Sequence, residues 1–326
     1  MRLTRRAALA ASLLPFAARA QGALIPVTLA VSSNSLAYGG LNIATRARLF
    51  ERHGIALKVV VMDSGNAAIS AVLSGSIEFA SAGPGEVIAV RLRGQKVVII
   101  NNVYRGLSGS LILAKSVADK LPAVASATLE GKLKSLDGLA IATPSATSAY
   151  THPYKSSAEA AGVKIRFVYM AQPAMAAALQ AGAIQGLIAG APFSVTAVTS
   201  GAGVLWISGP TGELPASALP ASSACLETSE AYAAAHPDII QKMRAGFDTL
   251  SAYLREQPEE AMRMLSAAYP QIDAPTIQAA YRNDAPNWGR PVFTVADIRQ
   301  EIAIQVASGT LKGAEALDPA SLLLNP

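Results

Sequence analysis

Between Pro26 and Ala189 the hydrophobic period of the sequence switches repeatedly between short continuous apolar runs and stretches in which apolar residues recur every three or four positions. No other feature narrows the possible folds as far, because the first pattern predicts strands and the second predicts helices. Val27 to Val31 reads as a strand ending at Ser32-Ser33-Asn34-Ser35, and Ile43, Ala47 and Phe50 then mark a helix stopped by Gly54. Leu57 to Met62 is a second strand, Asp63-Ser64-Gly65-Asn66 a turn, and Ala68, Ile69, Val72 and Leu73 a helix ending at Gly75. Ile77 to Ala80, the turn Ser81-Ala82-Gly83-Pro84-Gly85 and a helix over Val87 to Arg93 form a third unit, which leads into the strand Val97 to Val103. Strands joined by single helices run parallel and are covered on both faces, so the chain belongs to the α/β class.

The alternation returns after an irregular stretch from Ser116 to Leu136. Strands are predicted at Leu139 to Thr143, Ile165 to Tyr169 and Gln185 to Ala189, with helices at Thr147 to Ala161, closed by Gly162, and at Pro173 to Ala181. The same architecture is therefore built twice. Beyond Glu227 only helices follow: Ile239, Met243, Phe247, Leu250 and Leu254 make one apolar stripe, and Val295, Ile298, Ile302 and Val306 another. Thr294, with Asp297 three residues on, opens the latter as a capping box.

The net charge of +5 would suit a nucleic-acid or membrane ligand, but its placement argues otherwise. Arg2, Arg5, Arg6 and Arg19 fall within the first twenty residues, and the remainder carries 23 basic against 22 acidic groups. No nucleic-acid partner is expected. The first twenty residues read as a cleavable export signal: a basic start, an apolar run from Ala7 to Ala18, and Ala18-Arg19-Ala20 before Gln21. A twelve-residue run interrupted by Pro15 is too short to span about 30 Å of hydrocarbon. Arg5-Arg6 after Thr4 resembles a twin-arginine start, which leaves the twin-arginine and general secretory routes both open. The single Cys225 can form no internal disulfide, and with no histidine or basic cluster beside it in sequence it reads as a small packed residue.

In an open parallel sheet, ligands bind beyond the carboxyl ends of the strands, where helix amino ends point their N–H groups at the cleft. Four loops stand at such positions: Ser32, Ser33 and Asn34; Ser64, Gly65 and Asn66; Ser81, Ala82 and Gly83; and Ser145, Thr147 and Ser148. Each residue type is also an ordinary cap or turn former. The recurrence of hydroxyl-rich loops at matching strand ends is what points to a shared site, one suited to a small oxyanion that needs many donors and no buried countercharge. Tyr38, Tyr104 and Tyr150, together with Tyr154, lie near these loops and could wall a pocket. Arg105 could meet a ligand anion and Asp63 a ligand amine, or they could be a solvated arginine and a helix cap.

Enzyme signatures are scarce. The sequence has no Gly-x-Ser-x-Gly elbow, no phosphate-binding loop, no His-Glu-x-x-His and no cysteine pair, so neither catalytic residues nor a metal or other cofactor are expected. His53 and His236 sit at predicted helix ends, and only His152 could reach a cleft.

The motifs in their order resemble the periplasmic substrate-binding proteins of the nitrate, sulfonate and taurine class of ABC importers, whose relatives also bind thiamine pyrimidine precursors. Leu73-Ser74-Gly75-Ser76-Ile77-Glu78-Phe79-Ala80 is similar to the family's Leu-x-x-Gly-x-x-Asp-x-Ala. Leu136-Asp137-Gly138-Leu139-Ala140-Ile141-Ala142 is similar to Leu-x-Gly-x-x-Ile-Ala, and Leu179-Gln180-Ala181-Gly182-Ala183-Ile184-Gln185-Gly186 to Leu-x-x-Gly-x-Val-Asp-Ala. His236-Pro237-Asp238 resembles the opening of a late helix in that family. Glu78 and Gln185 stand where the family usually has aspartate, which leaves the ligand open.

The resemblance implies a two-lobed type II periplasmic-binding-protein fold, each lobe a mostly parallel sheet flanked by helices, with the C-terminal helices packed on lobe 1. Residues 21–106 and 208–326 would form lobe 1 and 107–207 lobe 2, and the loops near residues 32, 64 and 81 would face Ser145 to Tyr150 and Gln172 across one cleft. It implies an exported, periplasmic and monomeric protein that captures a small organic anion by hinge closure and delivers it to an ABC permease with a separate ATPase. An enzyme on the same scaffold acting on a pyrimidine precursor is the alternative, and it would need a reactive histidine or metal cluster. A ligand-sensing domain of a regulator would bring a helix-turn-helix or signalling module, for which the sequence offers no pattern.

Overall fold

The structure, a computed structural model, describes residues 23–289 and 293–324. The first half contributes β1 (Ile25–Val31), α1 (Gly39–Arg46), β2 (Ile55–Val61), α2 (Gly65–Leu73), β3 (Phe79–Ala82), α3 (Pro84–Leu92) and β4 (Val97–Arg105). The second contributes β5 (Ser110–Ala114), the short helices α4 (Lys115–Ala118), α5 (Val124–Ala127) and α6 (Leu129–Lys134), then β6 (Ala140–Thr143), α7 (Thr151–Ala160), β7 (Arg166–Tyr169), α8 (Gln172–Gln180), β8 (Gly186–Ala189), α9 (Phe193–Thr199) and β9 (Gly203–Ile207). The chain returns as β10 (Ser222–Ser229) and ends in α10 (Glu230–Ala235), α11 (Pro237–Glu256), α12 (Pro258–Ala268), α13 (Ala274–Asp284) and α14 (Val295–Ala307). The proposed export signal lies outside the described residues.

Two five-stranded sheets result, in the orders β2-β1-β3-β10-β4 and β7-β6-β8-β5-β9. In each sheet one strand runs against the rest: β10 is antiparallel to β3 and β4, and β5 to β8 and β9. Neither β5 nor β10 was legible as part of the strand–helix alternation, because each joins its sheet by a crossing connection rather than a helix; β9 follows β8 through α9 and takes the edge beside β5. The predicted helix from Thr147 starts only at Thr151, since Ser145 to Ser148 are taken up by a turn in which Ser148 N–H donates to the Ser145 carbonyl.

The two departures from the family's aspartates have one explanation. Glu78 accepts the N–H of Thr28 on β1 at 2.8 Å, and Gln185 accepts that of Ala140 on β6 at 3.0 Å. Each side chain, just ahead of the third strand of a parallel trio, ties down the backbone of the central strand beside it, mid-strand in β1 and at the first residue in β6. A glutamine serves as well as a carboxylate, because only an acceptor oxygen is needed.

Leu29, Val31 and Phe79 on one face of the first sheet pack with Met243, Phe247 and Leu250 of α11 and with Trp288, while Val97 and Ile99 on the other face pack with Ile298 and Ile302 of α14. The C-terminal helices thus cover both faces of that sheet. The predicted capping box of α14 is formed, with Asp297 N–H bonded to Thr294 and Thr294 N–H to the Asp297 carboxylate. In the second sheet, Leu111 and Ile141 pack beneath Tyr154, and Ile112 and Leu187 beneath Met175.

The crossings from β4 to β5 and from β9 to β10 run side by side. Gly106 N–H donates to the Ala221 carbonyl, and Ser223 Oγ accepts from Ser108 N–H at 2.9 Å while donating to the Gly106 carbonyl at 2.6 Å. A Cβ on Gly209 would run into the Gly109 carbonyl, so the close approach of the two crossings requires glycine there.

Candidate functional site

The carboxyl ends of β1, β2 and β3 in one sheet and of β6 and β7 in the other converge on one cleft. From the first half, Ser32, Ser33, Tyr38, Ser64, Gly65 and Gly83 line it, and from the second Ser148, Tyr150 and Gln172. These nine residues were all expected from the strand-end rule or the resemblance. The cleft has a narrow inner compartment of about 30 Å³, room for little more than a water-sized group. An outer compartment of about 220 Å³ shares Ser32, Ser33, Asp63 and Gln172 with it and adds the exposed Asn34.

Local chemistry positions each wall. Ser64 caps α2, its Oγ accepting from Ala67 N–H at 3.2 Å. Tyr38 is buried, with its hydroxyl donating to the Ser81 carbonyl at 2.9 Å and lying 2.8 Å from Ser32 Oγ. Burial pushes the Tyr38 phenol far above its ordinary value. Tyr150 Oη lies 2.7 Å from Ser108 Oγ; its ring sits where a side chain on Gly109 would be, and its hydroxyl where one on Gly190 would be. Burial raises its pKa as well, so both phenols are neutral donors.

The two halves touch through the cleft. Gln172 Nε2 donates to Ser33 Oγ at 3.0 Å while its Oε1 accepts from Gly190 N–H at 2.9 Å. Leu36 N–H donates to the Ala191 carbonyl, and Ser145 Oγ donates to Glu86 Oε1 at 3.2 Å.

Several expected residues sit off the wall. Tyr104 turns away and donates to Asp284 Oδ1 at 2.6 Å. Ser81 contributes its carbonyl to Tyr38, and the Ala82 carbonyl accepts from Cys225 Sγ. Asn66 is half-buried on α2 and lines neither compartment; its backbone carbonyl accepts from Ser70. Thr147 presents its carbonyl to the Cα side of Gly85, and Ser145 acts through Glu86. His152 is fully buried against α14, its Nδ1 3.0 Å from Gln305 Nε2, so it does not reach the cleft. Arg105 pairs with Asp297 at 3.3 Å. Cys225 is a buried residue of β10.

Asp63, Glu86, Pro144, Ala37 and Ser223 also line the inner compartment. Asp63 was read as a cap or an amine partner, and the others were not singled out. Glu86 is the consequential one: it is 4% exposed, and its Oε2 accepts from Gly83 N–H at 2.9 Å. Burial raises its pKa, while the Gly83 and Ser145 donors oppose that shift. Its only sequence signal is an acid three residues after Gly83 at a helix start, which any capping box would show. Ser223 arrives on β10, far along the chain, and carries no local signal.

Among the described residues no group of three or more His, Cys, Asp or Glu side chains gathers to hold a metal, and no helix is long and apolar enough to cross a membrane.

A model of the NMT1-like family matches residues 26–268. No curated protein matches the sequence. Among solved structures, the alkanesulfonate-binding protein SsuA from Xanthomonas axonopodis pv. citri, bound to MOPS, superposes with a TM-score of 0.74 at 16% identity, covering 93% of this chain and 99% of that one. The periplasmic nitrate-binding protein NrtA from Synechocystis PCC 6803 gives 0.68 at 13% identity, over 92% and 85%. A Candida albicans gene product with the generic periplasmic binding protein fold gives 0.69 at 14% identity, over 92% and 96%. At these identities the likeness carries the fold, which is that of the periplasmic binding proteins.

Proposed function

The chain belongs to the NMT1-like family, and from that premise and the geometry of the cleft we propose that it is the exported, monomeric solute-binding component of an ABC importer. Residues 1–20 direct export to the periplasm, residues 21–106 with 208–326 and residues 107–207 act as two lobes, and a permease with a separate ATPase receives the closed form. The solute is a small organic molecule whose carboxylate, sulfonate or related oxygen end is met by the hydroxyls of Ser32 and Ser33. Similar structures bind an alkanesulfonate-type ligand or nitrate, which supports this class.

One observation carries the reading: loops from the carboxyl ends of parallel strands in both sheets meet at one polar cleft and bond across it through Gln172 and Ser33. Those bonds form only when the lobes are together. The paired crossings at Gly106–Gly109 and Ala221–Ser223 supply the hinge, so a solute that bonds to both lobes favours the closed form.

The test is a thermal-shift screen of the purified protein against sulfonates, carboxylates, nitrate and pyrimidines, followed by calorimetry and recovery of the bound compound. A ligand at 100 times its Kd adds about 2.7 kcal/mol to stability. The compound should be recovered unchanged, and Ser33→Trp should weaken its binding at least ten-fold with little change in the melting temperature of the free protein. Conversion of the compound by the protein alone would overturn the importer reading in favour of catalysis.

A further inference from the structure

The inner compartment is unlike a plain anion site in two respects. No lysine, arginine or histidine is among the residues that line it, while two carboxylates, Asp63 and Glu86, are. Its space, about 30 Å³, fits an amino or amide nitrogen, whereas a sulfonate with three oxygens is bulkier.

Glu86 is held in place from three sides. Gly83 N–H fixes Oε2, Ser145 of the opposite half fixes Oε1, and the Cα of Gly65 lies so close that any Cβ there would drive into the carboxylate. A carboxylate oxygen has about two acceptor sites, so each oxygen of Glu86 keeps acceptor capacity after its one protein bond. A bare anion seated here would face a like charge in a poorly solvated space, while a protonated amine or an amide N–H would find an acceptor already oriented.

We propose that the inner compartment receives the nitrogen head group of a small amine- or amide-bearing solute, and that Glu86 is the acceptor that sets this specificity. The proposal rests on the cleft being the solute site, and it narrows the ligand class from organic anions in general to molecules that pair an oxygen end with an N–H donor. The solute's oxygen end lies toward the hydroxyls of Ser32 and Ser33, which both compartments share. Its nitrogen end points inward to Glu86.

The experiment compares matched probes by calorimetry: butyrate with 4-aminobutyrate, propane-1-sulfonate with 3-aminopropane-1-sulfonate, and acetate with acetamide. Wild type should bind the nitrogen-bearing member of at least one pair ten-fold or more tighter than its partner. Glu86→Gln, which keeps an acceptor for Gly83 N–H and nearly the same volume, should erase that preference with its melting curve intact. Gly65→Ala, which displaces the carboxylate without removing it, should weaken the same preference.

Equal or tighter binding of the bare anions overturns the proposal, as does a preference that survives Glu86→Gln. Refusal of all six probes also overturns it, since half of them are the class it names. Failure of the cleft reading looks different: nitrogen-bearing probes would then bind Ser33→Trp as tightly as wild type, placing the solute elsewhere on the protein.

Discussion

Glu301 on α14 lies where the two halves meet behind the cleft. Its Oε1 accepts from Ala221 N–H at 2.7 Å, and its Oε2 stands 3.9 Å from Nε2 of His152 on α7, both side chains being fully buried. Burial pushes the Glu301 carboxyl from 4.5 up to about 8, against the donors Ala221 and Ser222 and with help from Asp297, and it pushes His152 from 6.5 down to about 3. At neutral pH both are therefore neutral, and the contact is not an ion pair. The folded protein keeps a proton at Glu301 that the unfolded chain releases above about pH 4.5, so this residue's contribution is fully present below that pH and is lost as pH rises to about 8. Each pH unit in the window is worth about 1.4 kcal/mol, or about 3.5 kcal/mol between pH 4.5 and 7. Glu301→Gln keeps the acceptor for Ala221 and does not titrate. With an unfolding entropy of about 2.1 cal/mol/K per residue over a chain of this length, its melting temperature should gain about 5 °C on wild type across that interval. Differential scanning calorimetry of both proteins at matched ionic strength reads the difference, from which unrelated titrations cancel. A difference that stays flat, or shrinks with rising pH, would refute the reasoning and show that Glu301 is ionised.

His152 should act in the opposite direction. Its lowered pKa makes its contribution complete above about pH 6.5 and lost as pH falls toward 3, so His152→Gln should melt progressively closer to wild type over that range, as followed by circular dichroism. Gln172→Leu strips the buried Gly190 N–H and Ser33 Oγ of their partner, and at about 1–3 kcal/mol for such losses solute affinity should fall roughly five- to a hundred-fold by calorimetry. Tyr104→Phe leaves the buried Asp284 without its donor and should lower stability by about 1–3 kcal/mol in urea titration, with solute affinity held within two-fold because Tyr104 is off the cleft.

What the sequence revealed of this site, and what it concealed, divides along one physical line. Ser32, Ser33, Ser64, Gly65, Gly83 and Ser148 were legible because continuous apolar runs and period-3.6 patterns locate strand ends, and the geometry of a parallel sheet then places everything beyond those ends on one rim. Tyr104 follows the expected strand Val97 to Val103 too, yet it lies within β4, which joins the sheet across the antiparallel β10, and its hydroxyl is claimed by Asp284, 180 residues away. Glu86 escaped for the converse reason. At the third position of a helix an acid is an ordinary capping partner, and its Gly83 bond is that ordinary one. What makes it part of a site is tertiary: the bare Cα of Gly65 on one side, Ser145 of the other half on the other, and Ser223 delivered on a strand formed over a hundred residues later. Local pattern thus determines where a cleft can be, whereas the charge inside it depends on which distant segments close over a residue that local pattern already explains. A ligand class inferred from loop composition alone inherits that blind spot, and for this reason the hydroxyl-rich loops suggested an anion while the folded cleft presents a carboxylate.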